Sequence, residues 1–156
     1  MSTSSKDSIE LRLPSELRYL GVVDAVVQSF ASEFELDTDD VNSVSTATIE
    51  AAANAMEHAN QFDVRKSVLI KLHGQGSVFE VEVQDEGAGF DHHPYERELG
   101  PEDLLKLRGR GIFIMRSFMD EVKFMKVGDS GMRVFLRKVG KANVEDSDSQ
   151  GAVRGN

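Results

Sequence analysis

Three polar side chains spaced four apart interrupt the alanine-rich run TIEAAANAMEHAN at positions 48–60: Glu50, Asn54 and His58. On an α-helix a step of four advances about 400° in azimuth and about 6 Å in height, so the three form one slanting row. The alanines take the other faces. An acid one turn from a neutral amide suits phosphoryl chemistry. Glu50 is placed to polarise a hydroxyl or water attacking a γ-phosphate. Asn54 offers a carbonyl oxygen to Mg2+, an ion that takes few protein ligands and completes its shell with phosphate oxygens and water.

Two glycine-bearing stretches lie further along the chain, DEGAGFD at 85–91 and RGRGIF at 108–113. Gly109 and Gly111 let the backbone approach a triphosphate, with the first-turn N–H groups of the following helix pointing at the anion, and Arg108 and Arg110 add charge. A Walker A loop is absent. Gly87 and Gly89 make room for a flat ligand, and Asp85, acceptor-only when ionised, suits the exocyclic amine of adenine. Each feature alone is weak: Glu50 and Asn54 read as exposed helix positions, Asp85 as an ordinary turn residue, and GxG beside a helix as a common turn. Their order along the chain carries the signal. The His92-His93 pair lacks cysteines or spaced carboxylates nearby and is not assigned a transition metal. The stripe Ile112, Phe113, Met115, Phe118 and Met119 reads as core.

The elements that must position these residues are legible from periodicity. Ile9, Leu11 and Leu13 alternate with charged neighbours as a half-buried strand ending at Pro14. Ser15 reads as the N-cap of a helix running to about residue 34, and LDTDD at 36–40 supplies caps for a second helix over about 39–60. Period two returns in 66–74 and 77–85, with GQG between them as a tight hairpin. Residues 86 to about 102 read as a loop, the segment after the second glycine pair as a helix, and 122–127 and 132–139 as a closing strand pair. A flexible N-terminus (1–7), one domain (8–140) and a disordered tail (141–156) complete the division. The order of elements, dominated by antiparallel hairpins, predicts an α+β two-layer sandwich with helices on one sheet face.

Composition limits the rest. The chain has 156 residues, is 40% hydrophobic and carries a formal charge of −9, with 18 basic residues scattered among 27 acidic ones. That size fits one domain with a real core. Scattered cations argue against nucleic acid as a direct partner. No cysteine is present, which excludes disulfides, thiol nucleophiles and thiolate metal sites. Neither a signal peptide nor a membrane span is visible, so the expected location is cytoplasmic.

E-x-x-x-N-x-x-x-H-A at 50–59, D-x-G-x-G-F at 85–90 and the run from Gly109 to Val122 resemble the N, G1 and G2 boxes of the GHKL ATPase superfamily. More narrowly they resemble the RsbW-like anti-sigma factor serine/threonine kinases, over roughly residues 9–139. The resemblance implies a Bergerat-type fold with a mixed, mostly antiparallel sheet and a site for ATP and Mg2+. Asn54 would hold the ion, Glu50 would act as base and Asp85 would bind adenine, with His58 in support and residues 91–111 as the ATP lid. It also implies two protein partners, a sigma factor that is sequestered and a STAS-domain anti-anti-sigma protein that is phosphorylated, and it raises the expectation of a homodimer. Histidine kinases and gyrase-like relatives use extra helices or domains for which this chain is expected to have no room. Two positions depart from the family pattern: Met132 stands where G-T-x-V would place a threonine, and Arg108 where serine is frequent. Met132 leaves open a module that binds nucleotide without phosphoryl transfer, and a switch kinase controlling a phosphatase shares the same site.

Overall fold

A computed structural model describes residues 6–86, 96–98, 109–128 and 131–141. Six strands form one sheet: β1 (Asp7–Pro14), β2 (Ser67–Gln75), β3 (Val78–Asp85), β4 (Glu96–Glu98), β5 (Glu121–Val127) and β6 (Gly131–Val139). Their spatial order is β1-β2-β3-β6-β5-β4. Every pairing among the described residues is antiparallel, in keeping with the mostly antiparallel sheet expected. β4 is a short strand inside the segment that reads as loop.

Among the described residues the α-helices are α1 (Leu20–Ala31), α2 (Thr38–Asn54) and α3 (Gly109–Phe118). They cover one sheet face, with α2 packed against both α1 and α3. Alternation sets that face: Val68, Ile70 and Leu72 of β2, Phe79, Val81 and Val83 of β3, and Val134 and Leu136 of β6 are buried beneath Val23, Val27, Val44, Ala51 and Met115. Alanine at 47, 51, 52 and 55 lets α2 lie close to the sheet. Small residues suit a helix held between two others.

Two local devices fix the frame. Asp37 caps α2 by accepting from the Asp40 N–H at 2.7 Å, and Asp40 returns a carboxylate oxygen to the Asp37 N–H. This capping box meets orphan N–H groups reciprocally. The buried Asp40 also accepts from the Lys141 N–H at 3.1 Å, tying the end of β6 to the start of α2. At the β2–β3 hairpin Gly76 adopts φ +57°, which glycine allows at little cost.

Two boundaries differ from the periodicity reading. Ser15 does not cap a helix: it is buried and donates to the Lys66 carbonyl at 2.8 Å, and a 3-10 turn (Leu17–Tyr19) precedes α1. The second helix does not continue as α to residue 60, because it widens into a π-helical turn over Ala55–Ala59. The wider turn rotates the residues beyond it away from the α-helical row.

Candidate active site

Glu50 and Asn54 lie half-buried in the last turns of α2, where α3 begins beside them. Both lie beside Gly111, in the first turn of α3. A Cβ placed on Gly111 would stand 2.7 Å from Asn54 Nδ2 and 3.3 Å from Glu50 Oε2. Any side chain there would have to displace the carboxamide. The N-terminus of a ten-residue helix is thus brought backbone-first against the acid and the amide. Free N–H groups at such an end, with the positive pole of the helix dipole, favour a bound anion.

Asp85 ends β3 and is buried. Its Oδ1 accepts from the Met132 N–H at 3.3 Å. The pairing of Val83 with Val134 places Asp85 and residue 132 one step further along, both on the helix-covered face. The residue that departs from the family pattern therefore adjoins the candidate adenine acceptor.

His58 falls elsewhere. It sits in the π-helical turn with an exposed side chain, its Nε2 3.9 Å from Glu57 Oε2. The row of four-residue steps ends at Asn54. Gly109 and Arg110 belong to the first turn of α3, the Arg110 side chain lying outside the described residues, as do Gly87, Gly89, Arg108, the His92-His93 pair, most of the expected lid at 91–111 and the tail beyond residue 141. Within the expected core stripe, Ile112, Met115 and Met119 are buried, whereas Phe113 is 73% exposed and Phe118 39%.

Asn60 and Ser67, which no motif contains, and Glu86, a variable position of the 85–90 box, form a hydrogen-bonded group beside the end of β3. Asn60 is buried; its Nδ2 donates to the Ser67 carbonyl at 3.0 Å and to Ser15 Oγ at 2.9 Å, while its Oδ1 accepts from the Glu86 N–H at 3.2 Å. The Ser67 N–H in turn donates to Glu86 Oε2. In sequence Asn60 is only the last residue of the expected second helix, and only the fold reveals these partners. The loop between Asn60 and Ser67 is itself constrained. Gln61 and Phe62 adopt positive φ of 52° and 55°, and Arg65 hydrogen-bonds Asp63, holding that carboxyl below the usual carboxylate range.

The sequence pattern of the histidine kinase-like ATPase domain matches residues 13–138. The serine-protein kinase RsbW of Bacillus velezensis is 33% identical over 144 residues, which cover 88% of each chain. The Bacillus subtilis protein of the same name is 30% identical, with 94% of each chain covered. The chain belongs to the RsbW serine-protein kinase family. The fold agrees: a solved structure of the RsbU and RsbW domains of a Mycobacterium tuberculosis protein superposes with a TM-score of 0.62 at 16% identity, covering 85% of this chain and 32% of that one. This family is built on an ATP-binding domain, and among the described residues the contact of Gly111 with Glu50 and Asn54 is the candidate for part of its site. A carboxylate, a carboxamide and a bare helix N-terminus form a donor set that fits a magnesium-bound triphosphate.

Proposed function

We propose that the protein is a Mg2+-dependent protein serine/threonine kinase that transfers the γ-phosphate of ATP to a STAS-domain anti-anti-sigma protein and, in its other state, sequesters a sigma factor. The observation that carries this reading is the contact of the α3 N-terminus, through Gly111, with Glu50 and Asn54. Asn54 would hold the ion, the α3 backbone the phosphates, and Asp85 the adenine amine. Bound Mg2+ would neutralise charge on the β- and γ-phosphate oxygens during transfer. Glu50 would orient the acceptor hydroxyl and accept its proton. Membership in a family of serine-protein kinases supports phosphoryl transfer to protein. A homodimer and a cytoplasmic location belong to the same proposal; no helix among the described residues is long and apolar enough to cross a membrane.

The test is incubation with labelled ATP, Mg2+ and candidate STAS proteins. Label on a STAS serine or threonine, lost in Glu50→Ala while ATP binding persists, supports the kinase. ATP binding without transfer to any STAS protein would favour a nucleotide-regulated binding module.

A further inference from the structure

The three hydrogen bonds among Asn60, Ser67 and Glu86 close into a ring. Asn60 Nδ2 donates to Ser67 O, Ser67 N donates to Glu86 Oε2, and Glu86 N donates to Asn60 Oδ1. Both backbone groups of Ser67 are engaged, one by an amide donor and one by a carboxylate acceptor. The ring lies just beyond the last β2–β3 pair, Val68 with Asp85. Glu86, which follows Asp85 directly, is thereby fastened to the residue that ends the helical segment carrying Glu50 and Asn54. Ser15 Oγ extends the anchor to the end of β1, since it accepts from Asn60 and donates to Lys66 O.

We infer that Asn60 is a positioning residue for nucleotide, fixing the adenine acceptor Asp85 relative to the phosphate end at Asn54. The inference rests on the nucleotide-site reading above and goes beyond it, because no box motif contains Asn60. The physical reason is separation of tasks. Asp85 reaches the base from a strand and Asn54 reaches the phosphates from a helix, so one rigid ligand must match the offset between two different elements. A buried carboxamide with donor and acceptor edges both in use resists sliding in either direction. Removing it leaves the Glu86 N–H and Ser67 O without that partner, so the end of β3 stays paired with β2 but loses this tie to the helical segment.

Such a residue contributes equally to ground state and transition state, so its loss weakens binding and spares the chemical step. The experiment compares Asn60→Leu with Val27→Ala, a truncation in α1 that lowers stability away from the site. Asn60→Leu is expected to raise the Kd of both ADP and ATP about tenfold beyond any change in Val27→Ala, with the transfer rate at saturating ATP within about twofold of the parent. Asn60→Asp keeps the acceptor edge toward Glu86 and loses the donor edge; it should weaken binding severalfold in the same pattern, and it serves if the leucine variant does not fold. Nucleotide affinities equal to those of Val27→Ala would overturn the inference and leave Asn60 a purely structural residue. A parent protein that binds no ATP would instead remove the nucleotide-site reading, and the inference with it.

Discussion

Gly111 stands so close to Asn54 that the missing Cβ accounts for the fit: added, it would lie 2.7 Å from the carboxamide nitrogen. Two elements distant in sequence meet there without an intervening side chain. Gly111→Ala is therefore expected to push the carboxamide or the α3 terminus aside while leaving the core intact. A displacement of this kind costs about 100-fold in phosphoryl transfer. Single-turnover rates on the proposed STAS-domain acceptor, with circular dichroism as the folding control, measure it. Parental rates would mean that the contact does not order the site.

Asp85→Asn tests the proposed adenine end of the site. The substitution retains an oxygen for the Met132 N–H but introduces a donor where an adenine amine would donate. A mismatched buried pair costs about 2 kcal/mol, or roughly thirtyfold in Kd. Titration calorimetry with ATP reads the change directly. Unaltered affinity would detach Asp85 from base recognition.

Met132→Thr restores the family pattern on the strand beside Asp85. The register puts the new hydroxyl on the same face as the carboxylate, so nucleotide is expected to bind several times more tightly. Met132 also packs against the core, and its shortening should lower stability by about 1 kcal/mol. A calorimetric affinity and a thermal scan together test this. Weaker binding at any stability would show that the methionine contributes to the pocket as it stands.

Gly74→Ala probes the scaffold far from chemistry. A Cβ at Gly74 would enter the Phe34 ring, which packs edge-on against Phe30 and tilted against Phe79. Overpacking of this sort costs about 2 kcal/mol, which lowers the thermal midpoint by several degrees. ATP affinity should stay unchanged; a loss of affinity would indicate that the β2–β3 end is coupled to the site.

Periodicity captures the strands to within a residue at most ends, because one buried face imposes strict alternation on β2, β3 and β6. It also puts Glu50 and Asn54 on one helical face, where the structure sets both against Gly111. Three features escape it for physical reasons. β4 is three residues long, too short to display a period. Ser15 has the composition of a cap, yet its hydroxyl is taken by the Lys66 carbonyl, a partner 51 residues away. The π-helical turn leaves no mark in an alanine-rich run whose residues favour helix of any pitch, so His58 is displaced from the row that its spacing implies.

That wide turn gives the second helical segment two separate orientations. Before the turn Glu50 and Asn54 address α3; beyond it Asn60 addresses the ends of β2 and β3. The residue count between them acts as a phase setting, much as register does in a sheet. Deleting one residue from 55–59 would restore a uniform helix and turn Asn60 out of its ring without touching Glu50, Asn54 or Asp85. The spacing between the groups proposed to hold the base and the phosphates would change while Glu50, Asn54 and Asp85 all remained in the chain.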